Sequence, residues 1–135
     1  MTTVFLDTSY IIALEITDDQ YHSQALNYWQ SLLSGAPQLV KTSFILDEVA
    51  TFFNSRNHHS KAVEVGNNLL ASPSVNFVHV QKSLFEEGWG YFVKHTDKAY
   101  SLTDCISFVV MQQLKIQVAL SFDKHFDQAG FTKLP

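Results

Sequence analysis

The chain has 135 residues, of which 46% are hydrophobic and 13% aromatic, and its formal net charge is -4. This length and apolar content predict one compact domain over residues 1–135. The negative charge argues against a protein that binds nucleic acid through bulk positive charge. It does not exclude a nucleic-acid enzyme, because metal cations held by carboxylates would supply positive charge locally.

No stretch approaches the ~18 uninterrupted apolar residues of a membrane span, and the start of the chain lacks the basic and then apolar pattern of a signal peptide. The single cysteine, Cys105, excludes an internal disulfide. It lies in the apolar run CISFVVM, which favours a buried core residue over a nucleophile. These features predict a cytoplasmic protein that does not contact a membrane.

Short β-rich runs alternate with longer segments of helical period along the chain. The predicted strands are TVFL near residue 4, QLVKT near 40, VNFVHV near 77 and QVALS near 119. The predicted helices span roughly residues 8–14, 22–34, 43–56, 59–71, 82–95 and 102–114. This alternation predicts an α/β fold in which helices cover a largely parallel sheet.

Ligands of such sheets bind beyond the carboxyl ends of the strands, and acidic residues occur at these points. Asp7 directly follows the first predicted strand, and Asp123 follows the last one after two residues. Asp104 begins a helix that is apolar almost all round and is therefore expected to be buried. In the helix predicted at 43–56, Glu48 borders the apolar arc, whereas Asp47 lies on the polar face.

A cluster of carboxylates without cysteine or paired histidines suits a hard cation, Mg²⁺ or Mn²⁺. With one or two such ions, the cluster could activate water for attack on a phosphodiester. Each acid also has an ordinary structural role open to it. Asp7 could cap a helix, Glu48 could be a solvated helix residue, Asp104 could form a capping box with Ser101, and Asp123 could start a turn.

Four motifs occur in order along the chain: VFLDTSYII, TSFILDEVATFF, YSLTDCISFVVMQQL and ALSFDKHFDQAGF. Together they resemble the motifs of the PIN-domain ribonucleases, and most of all the single-domain, VapC-like toxins of toxin–antitoxin systems. The resemblance implies a three-layer α/β/α sandwich with a central, mostly parallel sheet. It also implies an acidic pocket that binds Mg²⁺ or Mn²⁺ and hydrolyses RNA, leaving 5′-phosphate and 3′-hydroxyl ends.

The family's four acids fall on Asp7, Glu48, Asp104 and Asp123, which the resemblance assigns as catalytic residues and metal ligands. Hydroxyl residues stand beside these acids: Thr8, Ser9, Thr103 and Ser121. By resemblance, Ser9 and Thr103 are candidates for side chains that orient a carboxylate. For Ser121 an ordinary turn role is favoured.

Four further residues are candidates for the edge of the site. Asp127, four residues after Asp123, could be a fifth acid or a solvated loop residue. Lys124 and His125 could contact substrate, although the segment DKHF could equally be a loop that packs through its phenylalanine. Arg56 lies in the basic stretch SRNHHSK, which could meet an RNA backbone or be a solvated loop between helices.

The resemblance also implies partners, namely an RNA substrate, a second copy in a homodimer and a small antitoxin protein. Three alternatives stay open. A phosphatase of the haloacid dehalogenase type is disfavoured, because it needs a second aspartate where this chain has Ser9. An RNA-processing nuclease outside a toxin system fits the same residues. A non-catalytic PIN-like interaction module is disfavoured, because it has no reason to keep four mutually repelling carboxylates.

Overall fold

The computed structural model describes residues 2–135. The strands are β1 (Thr3–Leu6), β2 (Gln38–Thr42), β3 (Val75–Val78), β4 (Val118–Leu120) and β5 (Thr132–Leu134). The helices are α1 (Thr8–Glu15), α2 (His22–Leu33), α3 (Ser43–Ser55), α4 (His59–Ala71), α5 (Lys82–Lys94), α6 (Leu102–Gln113) and α7 (His125–Gln128). The strands form one sheet in the order β3-β2-β1-β4-β5, and every adjacent pair is parallel.

The predicted α/β class and the predicted elements are confirmed, with boundaries that differ by a few residues at most. The sheet is parallel throughout rather than mostly parallel. The sequence patterns did not predict α7 and β5. Helix α7 has four residues and strand β5 has three, which is too few for a helical or alternating period to show in the sequence.

The helices form two groups that cover the sheet. The main helix contacts link α1 to α2 and α3, and α3 to α4, while α6 contacts α5 and α7. The central strand β1 is buried along Val4, Phe5 and Leu6 without a polar interruption, which is typical of a parallel strand covered on both faces. The Phe5 ring contacts Phe126 of α7 at a centroid distance of 6.3 Å, so the second group of helices lies against this strand.

Helix α6 is the most deeply buried helix, with every residue from Asp104 to Met111 buried. It packs tightly against α5 at Gly88, where a Cβ atom would overlap the Ile106 side chain. Only glycine allows this approach without a shift of Ile106. The close packing fixes the start of α6, and therefore Asp104, relative to the sheet.

Cys105 is free and fully buried, which confirms the prediction of a core residue. Burial raises the pKa of its thiol to about 11, so the reactive thiolate is disfavoured. Among residues 2–135, no helix combines the length and the apolar character needed to cross a membrane.

Lys41 of β2 is fully buried, which is unusual for a lysine. Among residues 2–135, its Nζ is the one buried side-chain nitrogen or oxygen without a hydrogen-bond partner. The ammonium lies 3.6 Å from the ring centroid of Phe77 on β3, so a cation–π contact replaces part of its hydration. Burial lowers the pKa of Lys41 to about 8.

We expect Lys41→Met to raise the free energy of unfolding at pH 7 by about 1 to 3 kcal/mol, because it removes a buried charge and keeps the side-chain volume. Without the substitution, Lys41 has a pKa of about 8 in the folded state and about 10.4 in the unfolded state. Between these two pH values the unfolded chain therefore binds more protons than the folded chain. The contribution of Lys41 to stability should therefore rise with pH across this window, and the variant should lack that contribution. Urea unfolding at pH 7 and pH 10 measures both effects, with exposed Lys82→Met as the control; equal pH dependence of native and variant would contradict the prediction.

Candidate active site

A cleft of about 350 Å³ lies beyond the carboxyl ends of β1 and β4, where bound ligands were expected. Its lining brings together all four acids singled out from the sequence, although they come from separate elements. The residues that line it are Asp7, Thr8, Ser9, Ile12, Glu48, Ala99, Ser101, Asp104, Asp123 and His125.

Asp7 is fixed by the pairing of the two central strands. Its backbone N–H donates to the Leu120 carbonyl at 3.1 Å, which continues the β1–β4 ladder by one residue. The side chain is only 5% exposed. Asp7 holds the N-cap position of α1, yet its carboxylate makes no capping hydrogen bond. Instead its Oδ2 accepts bonds from the hydroxyls of Ser9 at 2.8 Å and Ser121 at 2.7 Å.

The same two serines hold the loop that carries the next acid. Ser9 Oγ accepts the backbone N–H of Phe122 at 3.0 Å, and Ser121 Oγ accepts that of Asp123 at 2.9 Å. Each hydroxyl thus donates to Asp7 and accepts from the loop. Ser121 was expected to be an ordinary turn residue, and the structure gives it this connecting role as well.

Glu48 is half-buried on α3 and lines the cleft, whereas the adjacent Asp47 is exposed, as the helical period predicted. The Thr8 hydroxyl donates to Glu48 Oε1 at 2.6 Å. Burial raises the pKa of Glu48, and hydrogen bonds from Thr8 and Thr103 partly offset that rise. The carboxylate of Asp104 repels Glu48 and raises its pKa further.

Asp104 combines a structural role with a place in the cleft. Its Oδ2 accepts the Ser101 backbone N–H at 3.1 Å, and Ser101 Oγ accepts the Asp104 N–H at 3.0 Å, which together form a capping box. The Nδ1 atom of His125 lies 2.9 Å from the same Oδ2. Burial raises the pKa of Asp104, while the bonds from Ser101 and His125 act in the opposite direction.

Asp123 and His125 complete the acidic side of the cleft. Asp123 Oδ1 accepts the His125 backbone N–H at 2.9 Å, so Asp123 also forms the local turn that its position allowed. The His125 ring approaches that oxygen too, with Nδ1 at 3.3 Å. Asp104, Asp123 and His125 each offer one ligand atom, and these atoms lie within 4.8 Å of one another.

Four of the residues suggested from the sequence do not line this cleft. Thr103 of α6 is one of them, although its side chain hydrogen-bonds to Glu48. Asp127 is exposed on α7 and does not line it. Arg56 follows the end of α3, where its guanidinium lies 3.7 Å from the Phe52 ring centroid. Lys124 is exposed and lines a neighbouring groove instead. His125 was suggested as a substrate contact, and the structure places it against two of the acids.

A model of the PIN domain family matches residues 4–132. The chain belongs to the PIN domain family. Across 97% of both chains, this PIN domain is 37% identical to the 23S rRNA-specific endonuclease VapC20 of Mycobacterium tuberculosis. The crystal structure of VapC20, described as a sarcin–ricin loop cleaving toxin, matches with a TM-score of 0.86 at 34% identity over 96% of each chain.

More distant solved structures share the fold of this PIN domain. FitAcB from Neisseria gonorrhoeae has a TM-score of 0.69 at 14% identity, and VapBC-1 from nontypeable Haemophilus influenzae has a TM-score of 0.64 at 15% identity. Each match covers 98% of this chain and 96% of the other. The three-layer α/β/α architecture implied by the sequence motifs is therefore confirmed.

The cleft of this PIN domain holds more negative charge than its own side chains neutralise. Within residues 2–135, no lysine or arginine forms an ion pair with any of the four acids. Burial, with smaller contributions from repulsion by Asp104 and Asp123, raises the pKa of Asp7 to about 6. This set of carboxylate oxygens fits a divalent cation, which would supply the missing positive charge.

We expect Asp7→Asn to stabilise the metal-free protein at pH 8 by about 1 to 3 kcal/mol, since the amide carries no charge to bury. In the native protein the folded chain binds more protons than the unfolded chain between about pH 4 and pH 6. The stability that Asp7 contributes should therefore fall as the pH rises through this window.

Thermal unfolding in the presence of EDTA, at pH 4 and at pH 8, tests this expectation. The exposed Asp127→Asn serves as the matched control and should behave like the native protein. An Asp7→Asn variant that melts below the native protein at pH 8 would show that the burial cost is smaller than the bonds from Ser9 and Ser121.

Proposed function

We propose that this PIN domain is a metal-dependent endoribonuclease and the toxin of a toxin–antitoxin pair. The observation that carries the proposal is the convergence of four carboxylates from separate elements in one cleft, without a lysine or arginine ion pair among residues 2–135. The named activity of VapC20, at 37% identity over nearly the whole chain, supports RNA as the substrate and 23S ribosomal RNA as the first RNA to test. Such an enzyme would act in the cytoplasm.

The cofactor we propose is Mg²⁺ or Mn²⁺. Asp7, Glu48, Asp104 and Asp123 would hold it, and His125 would orient Asp104 and Asp123 through its Nδ1. When bound, the cation would lower the pKa of the attacking water and offset the charge that develops on the phosphate oxygens.

The chain's own hydrogen bonds prepare the site for this chemistry. Ser9 and Ser121 both donate to Oδ2 of Asp7, and no hydrogen bond from residues 2–135 reaches its Oδ1, which leaves that oxygen for a ligand. Thr8 fixes one oxygen of Glu48 in the same way. Carboxylates held in one orientation need little reorganisation when the substrate binds. The proposed products carry 5′-phosphate and 3′-hydroxyl ends.

Protein partners are also part of the proposal. Helix α5 exposes large apolar side chains at helical spacing, namely Phe85, Trp89, Phe92 and Val93. Exposed apolar patches of this kind favour contact with another protein surface. A small antitoxin protein and a second copy of the chain are the partners we propose.

We expect Mg²⁺ or Mn²⁺ to support cleavage of a hairpin RNA that carries the sarcin–ricin loop, and EDTA to abolish it. Glu48→Gln and Asp123→Asn should each reduce the cleavage rate by more than about 100-fold, because each removes a charged ligand. Asp47→Asn and Asp127→Asn are matched controls, since these acids are exposed neighbours outside the cleft. The measurement is a time course of end-labelled RNA resolved on a denaturing gel.

Two results would overturn the nuclease assignment. One is a native protein, purified free of any partner, that cuts no RNA with either metal. The other is cleavage by the Glu48 and Asp123 variants at the native rate.

We further expect Mn²⁺ to raise the melting temperature of the native protein, because a ligand that binds only the folded state adds about 2.7 kcal/mol of stability at 100 times its Kd. Asp104→Asn should show little or no shift, whereas Asp127→Asn should shift like the native protein. Calorimetric titration with Mn²⁺ would then give the number of bound ions. Equal Mn²⁺ shifts in native and Asp104→Asn proteins would place the ion elsewhere.

A further inference from the structure

A groove of about 530 Å³ opens beside the carboxylate cleft and shares Ser9, Ile12 and Asp123 with it. Its wall carries two aromatic residues from distant parts of the chain, Tyr21 before α2 and Phe122 after β4. Neither residue is one of the four acids of the carboxylate cleft. The shared lining means that a molecule lying across the carboxylates extends directly into this groove.

Three aromatic rings are stacked in a column from the core to the wall of the groove. Tyr10 is fully buried, and its hydroxyl donates to the Ala25 carbonyl at 2.7 Å, which anchors the column. Phe122 stacks on Tyr10 at a centroid distance of 5.8 Å and an interplanar angle of 11°. Tyr21 stacks on Phe122 at 4.4 Å and 5°. The last ring, Tyr21, is 39% exposed, so the column ends at the surface.

The column is tied to the catalytic carboxylates. Phe122 directly precedes Asp123, and its backbone N–H is held by Ser9 Oγ, the hydroxyl that also donates to Asp7. The backbone N–H of Tyr21 donates to Asp19 Oδ1 at 2.8 Å, which fixes the start of α2. Tyr21 is therefore positioned relative to the site rather than free to swing away.

We propose that Tyr21 is a stacking platform for an unpaired base of the RNA substrate, next to the phosphate that is cleaved. A partly exposed ring at the end of a nearly parallel stack fits a planar base, which would extend the column by one ring. The groove also holds Lys124, whose ammonium can meet a phosphate, and Asp19, whose carboxylate can accept from the amino or imino group of a base. This inference rests on the proposed nuclease function and assigns its substrate as RNA with an unpaired nucleotide at the cleavage site.

The test uses a hairpin RNA carrying the sarcin–ricin loop, with each loop nucleotide replaced in turn by an abasic residue. Tyr21→Ala should raise KM and Kd for the intact hairpin about tenfold and leave kcat nearly unchanged, because the lost contact is to a base and not to the reacting phosphate. Tyr21→Trp and Tyr21→Phe should retain native binding, since both keep a stacking face. Leu114→Ala, an exposed apolar residue outside both the groove and the exposed face of α5, is the control.

One abasic position should weaken binding by the native protein yet cause no further loss with Tyr21→Ala, because the two changes remove the same contact. Additive losses at every position, or a Tyr21→Ala variant that binds the hairpin like the native protein, would overturn the platform. Weakened binding of a protein partner by Tyr21→Ala, with RNA binding unchanged, would overturn it too. Melting temperatures of all variants identify any loss caused by unfolding.

The two proposals fail in different ways. If the native protein cleaves RNA and the Tyr21 variants are indistinguishable from it, the platform fails and the nuclease stands. If nothing is cleaved but hairpin binding depends on the aromatic ring at position 21, the nuclease fails and Tyr21 is left as a base-stacking residue of an RNA-binding site. If the native protein neither binds nor cleaves the hairpin, both fail.

Discussion

The parallel pairing of β1 with β4 is the constraint on which the cleft depends. The register places Leu6 opposite Leu120, so the residues that follow, Asp7 and Ser121, leave the sheet side by side. The 2.7 Å bond between them is a direct result of that register. A slip by one residue would turn each side chain to the opposite face of the sheet and separate the pair. The loop that carries Asp123 would lose its anchor at the same time, since Ser121 Oγ holds its backbone.

Burial of several carboxylates in one cleft creates the chemical character of this site. Desolvation raises the pKa values of Asp7, Glu48 and Asp104 together, although each accepts hydrogen bonds that stabilise its charged form. The folded chain therefore holds several charges in a place where burying them costs free energy compared with exposing them to water. Lys41 shows the same cost with the opposite sign, but its ammonium contacts the Phe77 ring, and no acid of residues 2–135 forms an ion pair with it. The cleft differs from an isolated buried ion because several carboxylates converge in it, not because they are buried.

The sequence predicted the positions of the four acids because each depends on local pattern. Asp7 and Asp123 were found by their distance from strand ends, Asp104 by the apolar helix that follows it, and Glu48 by its offset from Phe44 and Phe52. Their placement in one cleft follows from the parallel sheet. Their roles as metal ligands stay predictions.

Features that depend on contacts between distant segments could not be predicted from local pattern. The role of Ser121 arises only when β4 pairs with β1, and the position of His125 follows from α7, a single turn too short to recognise. Asp127 and Arg56 were chosen for their nearness in sequence to acidic or basic neighbours, yet both lie outside the cleft. Tyr21 and Phe122 are far apart in the sequence, so no local motif predicts that their rings stack.

Asp104 caps a helix and also lines the cleft, so mutations at the four acids should differ in their effect on fold stability. Its carboxylate closes the capping box that begins α6, the most buried helix, so a lineage that lost this acid would lose a helix cap along with the proposed metal ligand. Asp7 makes no such cap, and its loss would relieve a buried charge. Selection for folding alone would therefore preserve Asp104 in copies that no longer cut RNA. Inactive descendants of this chain should be recognised by a neutral residue at position 7 long before one appears at position 104.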